Sequence, residues 1–285
     1  MKGSRYALKI TKIINNNVVS SVDEQGREVV IMGRGIGFQR VPDDEIDQKK
    51  VEKIFLIQGK DNREQFQVLV EKIPYEHIKT ANKIISYAKF SLNKKLSDTI
   101  YIALTDHISF AIERKKQGME FHNALLWEIK RFYNHEFLIG KEALSIIKEQ
   151  LGVELPEDEA GFIALHIVNA ELDTDMQHSI QMTQIIQDVL NIVRYHFHIE
   201  LDEKTLAYER FLTHLKFFVQ RAICNQYYQT DDLEFCELIK RKYPEAYCCA
   251  EKIRNYMESK VDYRLTEEEI VYLTVHIKRI IDEQE

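Results

Sequence analysis

The hydrophobic pattern of the chain changes its period near residue 60. Before that point, apolar and polar residues alternate in short runs that are rich in β-branched side chains, as at residues 8–14. Three consecutive asparagines at 15–17 interrupt the pattern, and asparagine tolerates the positive φ of tight turns. Strands are predicted at 8–14, 18–22 and 28–32, with a last apolar segment at 54–57. The pattern predicts a small antiparallel sheet.

From about residue 64 the apolar spacing becomes helical. Helices are predicted at 64–72, 76–92, 96–117, 120–134, 137–151 and 156–173, and then at 178–198, 202–224, 231–243, 245–260 and 266–283. Pro156 suits a first helical turn, and Thr266 with Glu269 predicts a capping box. Most of the chain is therefore expected to be helical.

The helical part is duplicated. Residues 159–167 match residues 269–277 at a shift of 110, and the same shift, without a gap, matches 129–133 to 239–243. A fixed shift over about forty residues is typical of a repeated domain. Each copy ends with a histidine late in an amphipathic helix, at His166 and His276.

A second histidine repeats on an upstream helix. Residues 104–110 match 211–217 at a shift of 107, which aligns His107 with His214. An arginine follows seven residues later in both copies, on the same helical face. Each repeat therefore contains two histidines that have a counterpart in the other repeat.

Composition excludes several classes of protein. The chain has 45% hydrophobic and 30% charged residues, an ordinary globular composition, and its length suggests two or three domains. No apolar run approaches a membrane span, and no signal-peptide pattern begins the chain. The four cysteines all fall in the second repeat without metal or disulfide spacing, which favours reduced packing residues in a cytoplasmic protein.

Charge is uneven along the chain. Residues 1–41 contain seven Lys or Arg and three acids, a balance of +4, whereas the whole chain has a net charge of −7. A basic module on an acidic body suggests a polyanionic partner, although chance clustering explains the same numbers.

The glycine-rich stretch at 33–38 is the candidate contact region of this module. It lacks the Lys-Ser/Thr of a nucleotide-binding loop and no long helix follows it, so we exclude that class of site. Arg34 offers a forked cation for phosphate or guanine, and Phe38 offers a face on which an unpaired base stacks. Asn15 and Asn17 can donate and accept hydrogen bonds at base edges. A glycine-rich bend with a core Phe38 accounts for the same residues.

The repeated histidines leave several kinds of site open. They could satisfy buried polar contacts, and Glu159 and Asp106 beside them could complete a metal site, although no tight ligand cluster is present. Nucleophilic hydrolysis is disfavoured because no Ser or Cys recurs beside them in both copies. Phosphoryl acceptance fits, because imidazole is a good nucleophile near neutral pH and a phosphate adds nearly two negative charges.

Four motifs in order show a resemblance to a known family. They are residues 12–18 (KIINNNV), 32–39 (MGRGIGFQ), 104–107 (LTDH) and 164–170 (ALHIVNA). The chain resembles the BglG/LicT/SacY family of bacterial transcriptional antiterminators over nearly its whole length, and most closely the LicT type. Residues 1–7 precede the family's usual start, and we expect them to be disordered.

The resemblance implies a multidomain fold and a function. Residues 1–60 would form a dimerising, four-stranded RNA-binding domain, followed by two homologous all-α bundles, the PTS regulation domains, at 61–173 and 174–285. The dimer would bind a hairpin in the leader of its messenger and prevent terminator formation in a sugar operon, with an aryl-β-glucoside operon as the best guess. By position, the RNA contacts would be Lys12, Asn15, Asn17, Gly33, Arg34 and Phe38.

The resemblance also implies phosphate acceptors at His107, His166, His214 and His276. The phosphocarrier HPr would modify the second bundle and activate, and the sugar-specific enzyme II would modify the first and inactivate. No enzyme activity, cofactor, metal or membrane insertion is expected. His107 follows Asp106, whereas His214 follows Thr213, and this difference suggests that the two histidines have different phosphate donors.

Two other functions remain as alternatives. A DNA-binding activator with the same repeats would need a helix-turn-helix, and a histidine phosphotransferase would need a donor site of its own. We expect the small sheet to bury one face against a second copy of itself and to lie away from both repeats. Control would then act through assembly of the dimer.

Overall fold

The structure, a computed structural model, describes residues 8–56, 59–119, 121–224 and 233–283. The chain divides into two compact units, Met1–Thr174 and Asp175–Glu285. The expectation of disorder at residues 1–7 lies outside the described residues.

The first unit begins with a four-stranded antiparallel meander in the order β1-β2-β3-β4. The strands are β1 Ile10–Asn15, β2 Val18–Val22, β3 Glu28–Met32 and β4 Lys53–Phe55. The turn between β1 and β2 closes because the side chain of Asn15 accepts a hydrogen bond from the backbone N–H of Asn17, at 2.8 Å. Gly26 supplies the positive φ of the next turn, at 75°. The predicted sheet is confirmed, and its last strand begins one residue before the predicted segment at 54–57, of which residue 57 lies outside the described residues.

Six helices complete the first unit. They are α1 Lys60–Lys72, α2 Tyr75–Leu92, α3 Ile100–Lys116, α4 Leu126–Phe132, α5 Asn134–Leu151 and α6 Glu157–Leu172. The apolar faces of α1, α2, α3, α5 and α6 share one core, which includes Ile84, Leu104, Ile147 and Ile163. The predicted helices are present, although α3 and α4 begin later than expected and residue 120 lies outside the described part.

The side chains of strand β3 are buried on both faces of the sheet. Val30 and Met32 join the same core as the helices, together with Phe55 of β4 and Phe66 of α1. The ring centroids of Phe55 and Phe66 lie 4.9 Å apart. The sheet and the first helical repeat are therefore one packed body, and the prediction that the sheet lies away from both repeats is wrong for the first.

The opposite face of the sheet is covered by the loops that follow β3. Val29 and Ile31 pack with Ile36 and Ile46 in a second, smaller core. Alternate strand residues point to opposite faces, so the apolar run at β3 fills both cores. The same chain therefore packs on both faces of the sheet, and pairing of the sheet with a second copy stays a prediction.

The second unit consists of α7 Met176–Phe197, α8 Leu206–Ile223, α9 Leu233–Lys242, α10 Pro244–Val261 and α11 Glu267–Asp282. All five predicted helices are present, and the first two predicted residues of α9 lie outside the described part. Thr266 and Glu269 form the predicted capping box at the start of α11. The four cysteines are unbridged, but only Cys249 is buried, and the prediction that they are packing residues is wrong for the exposed Cys224 and Cys248. In the described part of the chain, no helix is long and apolar enough to cross a bilayer.

Candidate functional site

The glycine-rich loop and the asparagine turn form one hydrogen-bonded surface at the end of the sheet. The backbone N–H of Gly33 donates to the carbonyl of Asn17 at 2.9 Å, and that of Gly37 to the carbonyl of Asn16 at 3.0 Å. The side-chain oxygen of Asn17 accepts a third bond from the N–H of Gly35 at 2.8 Å. Residues far apart in sequence are thus fixed as one local surface.

Three predicted RNA-binding side chains on this surface reach solvent. Phe38 is 56% exposed, so the alternative in which it is a core residue is wrong. Lys12 is exposed on β1. Arg34 lies 3.5 Å from Glu76 in an exposed ion pair, which contributes little free energy and is readily exchanged for another anion.

The other three predicted RNA-binding residues have partners inside the chain. Asn15 donates from its side chain to the carbonyl of Val70 in α1, at 2.7 Å, and Asn17 holds the loop as described. A Cβ added at Gly33 would lie 1.7 Å from the carbonyl oxygen of Lys50. The glycine thus permits a close approach, and the group that approaches is the chain's own backbone.

The first repeat brings its two histidines together between α3 and α6. The ring centroids of His107 and His166 lie 4.8 Å apart. The Nε2 atom of His107 lies 3.0 Å from Oε2 of Glu159, and the other carboxylate oxygen of Glu159 accepts a hydrogen bond from Arg114 at 2.8 Å. Arg114 and Glu159 are both buried. One carboxylate therefore connects a histidine to an arginine two helical turns away.

The second repeat brings His214 and His276 together between α8 and α11, with ring centroids 4.4 Å apart. Tyr272 contacts both rings, at centroid distances of 5.3 Å and 4.6 Å. A cavity of about 540 Å³ opens beside the pair and is lined in part by Phe235 and Arg279. This histidine pair is accessible through a largely apolar cavity.

The matching carboxylates of the two repeats have different partners. Glu269 accepts hydrogen bonds from the backbone N–H of Thr266 at 3.0 Å and from the hydroxyl of Tyr263 at 2.9 Å. Arg221 lies 4.0 Å from it, a long ion pair. At a shift of 110, the position of Thr266 is occupied by Pro156, which has no N–H or hydroxyl for a capping box. Glu159 is therefore available to His107 and Arg114.

Comparison with known proteins places these features in a family. Residues 8–64 match the CAT RNA binding domain, and residues 82–170 and 187–280 each match the PRD domain. The transcription antiterminator LicT of Bacillus subtilis is 51% identical over 96% of this chain and 99% of its own length. The beta-glucoside operon antiterminator of Dickeya chrysanthemi is 46% identical over 97% and 98%.

The chain belongs to the BglG/LicT/SacY family of transcription antiterminators. A crystal structure of GlcT CAT-PRDI is similar at a TM-score of 0.53 and 38% identity, and covers 58% of this chain and 99% of that one. The fold predicted from the resemblance is confirmed. The chain is an RNA-binding antiterminator and not an enzyme, so both alternative functions are wrong.

The chemistry of the histidine pairs suits phosphate acceptors of such a regulator. Burial, followed by the neighbouring His107, lowers the pKa of His166 to about 3. Burial, followed by His214 and Arg279, lowers the pKa of His276 to about 4. Both imidazoles are therefore neutral near pH 7, the form in which a ring nitrogen has a lone pair for nucleophilic attack.

Sequence reasoning did not predict the contacts of Glu159 or Tyr272. The sequence suggested Glu159 as a metal ligand and as one of the acids that favour a helix start. Within the described residues, no group of three or more His, Cys, Asp or Glu side chains could hold a metal. Asp106, the other residue considered, is exposed and lines a groove between α1 and α3. The available signal was that Glu159 and Glu269 repeat at the same shift as the histidines.

Proposed function

We propose that this antiterminator binds a leader-mRNA hairpin as a homodimer through Lys12, Asn15, Asn17, Gly33, Arg34 and Phe38. Exposed Phe38, Arg34 and Lys12 would supply base stacking and phosphate contacts. Asn15, Asn17 and Gly33 would act mainly by holding the loop in place, because their side chains or Cα positions already contact the chain itself.

We further propose phosphorylation at His107, His166, His214 and His276, with HPr modifying the second repeat and the sugar-specific enzyme II the first. The observation that carries this proposal is that two histidine rings lie within 5 Å of each other in both PRD repeats, at 4.8 Å and 4.4 Å. The domains would be 1–60, 61–173 and 174–285, and the protein would act in the cytoplasm.

The operon we propose is one for β-glucoside use, because a relative 46% identical over 97% of this chain is a beta-glucoside operon antiterminator. Phosphate on His214 or His276 would tighten a dimer of the second repeat and bring two RNA-binding domains together. Two linked domains bind one target more tightly than either alone.

A gel shift with the leader hairpin of a β-glucoside operon tests the RNA site. We expect Phe38→Ala to weaken binding by about 5- to 150-fold, since base–aromatic stacking contributes ~1–3 kcal/mol. Arg34→Ala should weaken it and reduce its salt dependence, because one fewer phosphate contact is made. Val22→Ala, an exposed apolar residue at the opposite end of β2, is the matched control. Unchanged binding by Arg34→Ala and Phe38→Ala would show that the RNA contacts lie elsewhere.

Mass spectrometry tests the acceptors. After incubation with phosphorylated HPr, we expect phosphate on His214 and His276, and after addition of the enzyme II also on His107 and His166. The modified protein should sediment as more dimer than the unmodified protein. Phosphate at other histidines, such as the exposed His122, would contradict the assignment of acceptors, and an unchanged dimer fraction would contradict the proposed mode of control.

A further inference from the structure

The Nε2 atom of His107 lies against a buried carboxylate. It is shielded from solvent and is 3.0 Å from Oε2 of Glu159, a close charge contact that is not aligned as a hydrogen bond. The side chain as a whole is 14% exposed. A phosphoryl donor that approaches from solvent cannot reach Nε2 unless Glu159 moves, which leaves Nδ1 as the nitrogen it can attack.

Glu159 is held firmly in this position. Its second oxygen accepts a hydrogen bond from Arg114 at 2.8 Å, and the guanidinium of Arg114 packs over the rings of Phe110 and Phe121, at 4.9 Å and 4.4 Å from their centroids. A buried ion pair resists loss of either partner, because the remaining charge would be uncompensated. The carboxylate is thus a fixed negative charge beside Nε2.

We infer that Glu159 is a positioning residue that directs phosphoryl transfer to Nδ1 of His107. This rests on the proposed function, in which His107 is a phosphate acceptor. A neutral imidazole carries one proton, and a carboxylate at Nε2 selects the tautomer with that proton on Nε2 and the lone pair on Nδ1. Glu159 therefore fixes which nitrogen is nucleophilic.

The transfer step follows from that tautomer, with a phosphohistidine of the enzyme II as donor. The lone pair of Nδ1 of His107 forms a bond to phosphorus as the donor's phosphorus–nitrogen bond breaks, and the electron pair leaves with the donor's imidazole. The ring of His107 keeps its proton on Nε2 and becomes a cation. Glu159 stabilises that positive charge as it develops, which is the usual role of a carboxylate behind a reacting imidazole.

The second repeat does not share this arrangement. The carboxylate of Glu269 is committed to Thr266 and Tyr263, through the capping box and the tyrosine hydroxyl. Because Pro156 stands where the second repeat has Thr266, the same glutamate has a structural role in one repeat and contacts the acceptor in the other.

The test uses the full chain with His166→Ala, His214→Ala and His276→Ala, so that His107 is the only proposed acceptor. This protein is phosphorylated with enzyme I, HPr and a β-glucoside enzyme II, and the product is examined with antibodies specific for Nδ1- or Nε2-phosphohistidine. We expect Nδ1-phosphohistidine. Adding Glu159→Gln should slow modification roughly tenfold or more, as when the carboxylate partner of a functional imidazole is removed, and should give a mixture of isomers. Glu159→Asp should partly restore the isomer preference.

The control is Glu157→Gln, in the same helical turn as Glu159. Glu157 is exposed and its carboxylate lies 2.7 Å from Nζ of Lys130. This substitution should change neither the rate nor the isomer. A purely structural role for Glu159 would lower the melting temperature without altering the isomer. Nε2-phosphohistidine at His107 would overturn the inference and leave His107 as an acceptor. If the wild-type protein accepts phosphate but His107 of the variant does not, both this inference and the proposed role of His107 are overturned.

Discussion

At the residue scale, burial of a histidine ring makes stability depend on pH. The pKa of His276 falls from 6.5 to about 4, because the folded protein shields the ring and His214 and Arg279 disfavour a second charge. Between these two values the unfolded chain binds more protons than the folded chain, so stability decreases as pH falls. The decrease approaches about 1.4 kcal/mol per pH unit inside that window.

Urea unfolding of the full chain at pH 7.5, 6 and 5 measures this dependence. We expect His276→Gln to flatten the loss of stability on acidification, because its side chain does not titrate. His122→Gln should keep the wild-type slope, because the side chain of His122 is 88% exposed. An equally steep slope in His276→Gln and in the wild type would show that the ring of His276 does not carry the effect.

The sequence predicted which histidines matter but not what differs between them. Two fixed shifts placed all four in register, and the structure brings each pair within 5 Å. Both repeats have glutamate at this position, Glu159 and Glu269. The repeats differ three residues earlier, where the first has Pro156 and the second Thr266. The sequence shows the capping hydroxyl of Thr266. The contact of Glu159 with His107 cannot be seen there, because it depends on how α3 packs on α6.

At the element scale, helix starts depended on local side-chain hydrogen bonds. The predicted helix at 120–134 begins only at Leu126, because the side chain of Asn123 accepts a hydrogen bond from the N–H of Leu125 and holds a turn. The predicted helix at 202–224 begins at Leu206, because Thr205 caps it after a turn in which Asp202 accepts from Lys204. Apolar periodicity predicted that these helices exist but did not locate their ends.

The capping box of α11 gives a prediction at this scale. Thr266→Ala removes the hydroxyl that accepts from the N–H of Glu269, and we expect a loss of about 0.5–2 kcal/mol. Thermal or urea unfolding followed by helix circular dichroism measures it. Thr213→Ala is the control, since this exposed threonine lies inside α8 and its hydroxyl donates to the carbonyl of Glu209. Equal stability of the two variants would show that the capping box does not stabilise the second repeat.

At the scale of the whole molecule, the sheet and the first repeat depend on the same core. The run of four apolar residues at 29–32 was a sign in the sequence that both faces of β3 are buried. The sequence predicts a second copy of the chain on one of those faces, because a sheet module of about fifty residues is marginal by itself. In the structure, α1 packs on one face of the sheet, with Phe66 against Phe55.

The shared core offers the proposed control of RNA binding a direct route, in addition to the proposed assembly of a dimer. The sheet contacts α1 through Asn15, a proposed RNA-binding residue that donates to the carbonyl of Val70. Helix α1 in turn packs on α3, the helix that carries His107. A change at the first histidine pair that moves α3 would also displace α1 and the sheet, because tightly packed cores transmit displacements.

Phe66→Ala tests whether the sheet and the first repeat are stabilised together. The side chain is 1% exposed, and its removal should cost about 3–5 kcal/mol. By hydrogen exchange, we expect faster exchange in β3 and β4 as well as in α2 and α3, with residues 175–285 unchanged as an internal reference. Val68→Ala, on the same helix but 50% exposed, should leave exchange near the wild-type rates. Faster exchange confined to the helices, with the sheet still protected, would mean that the sheet is stable without the shared core.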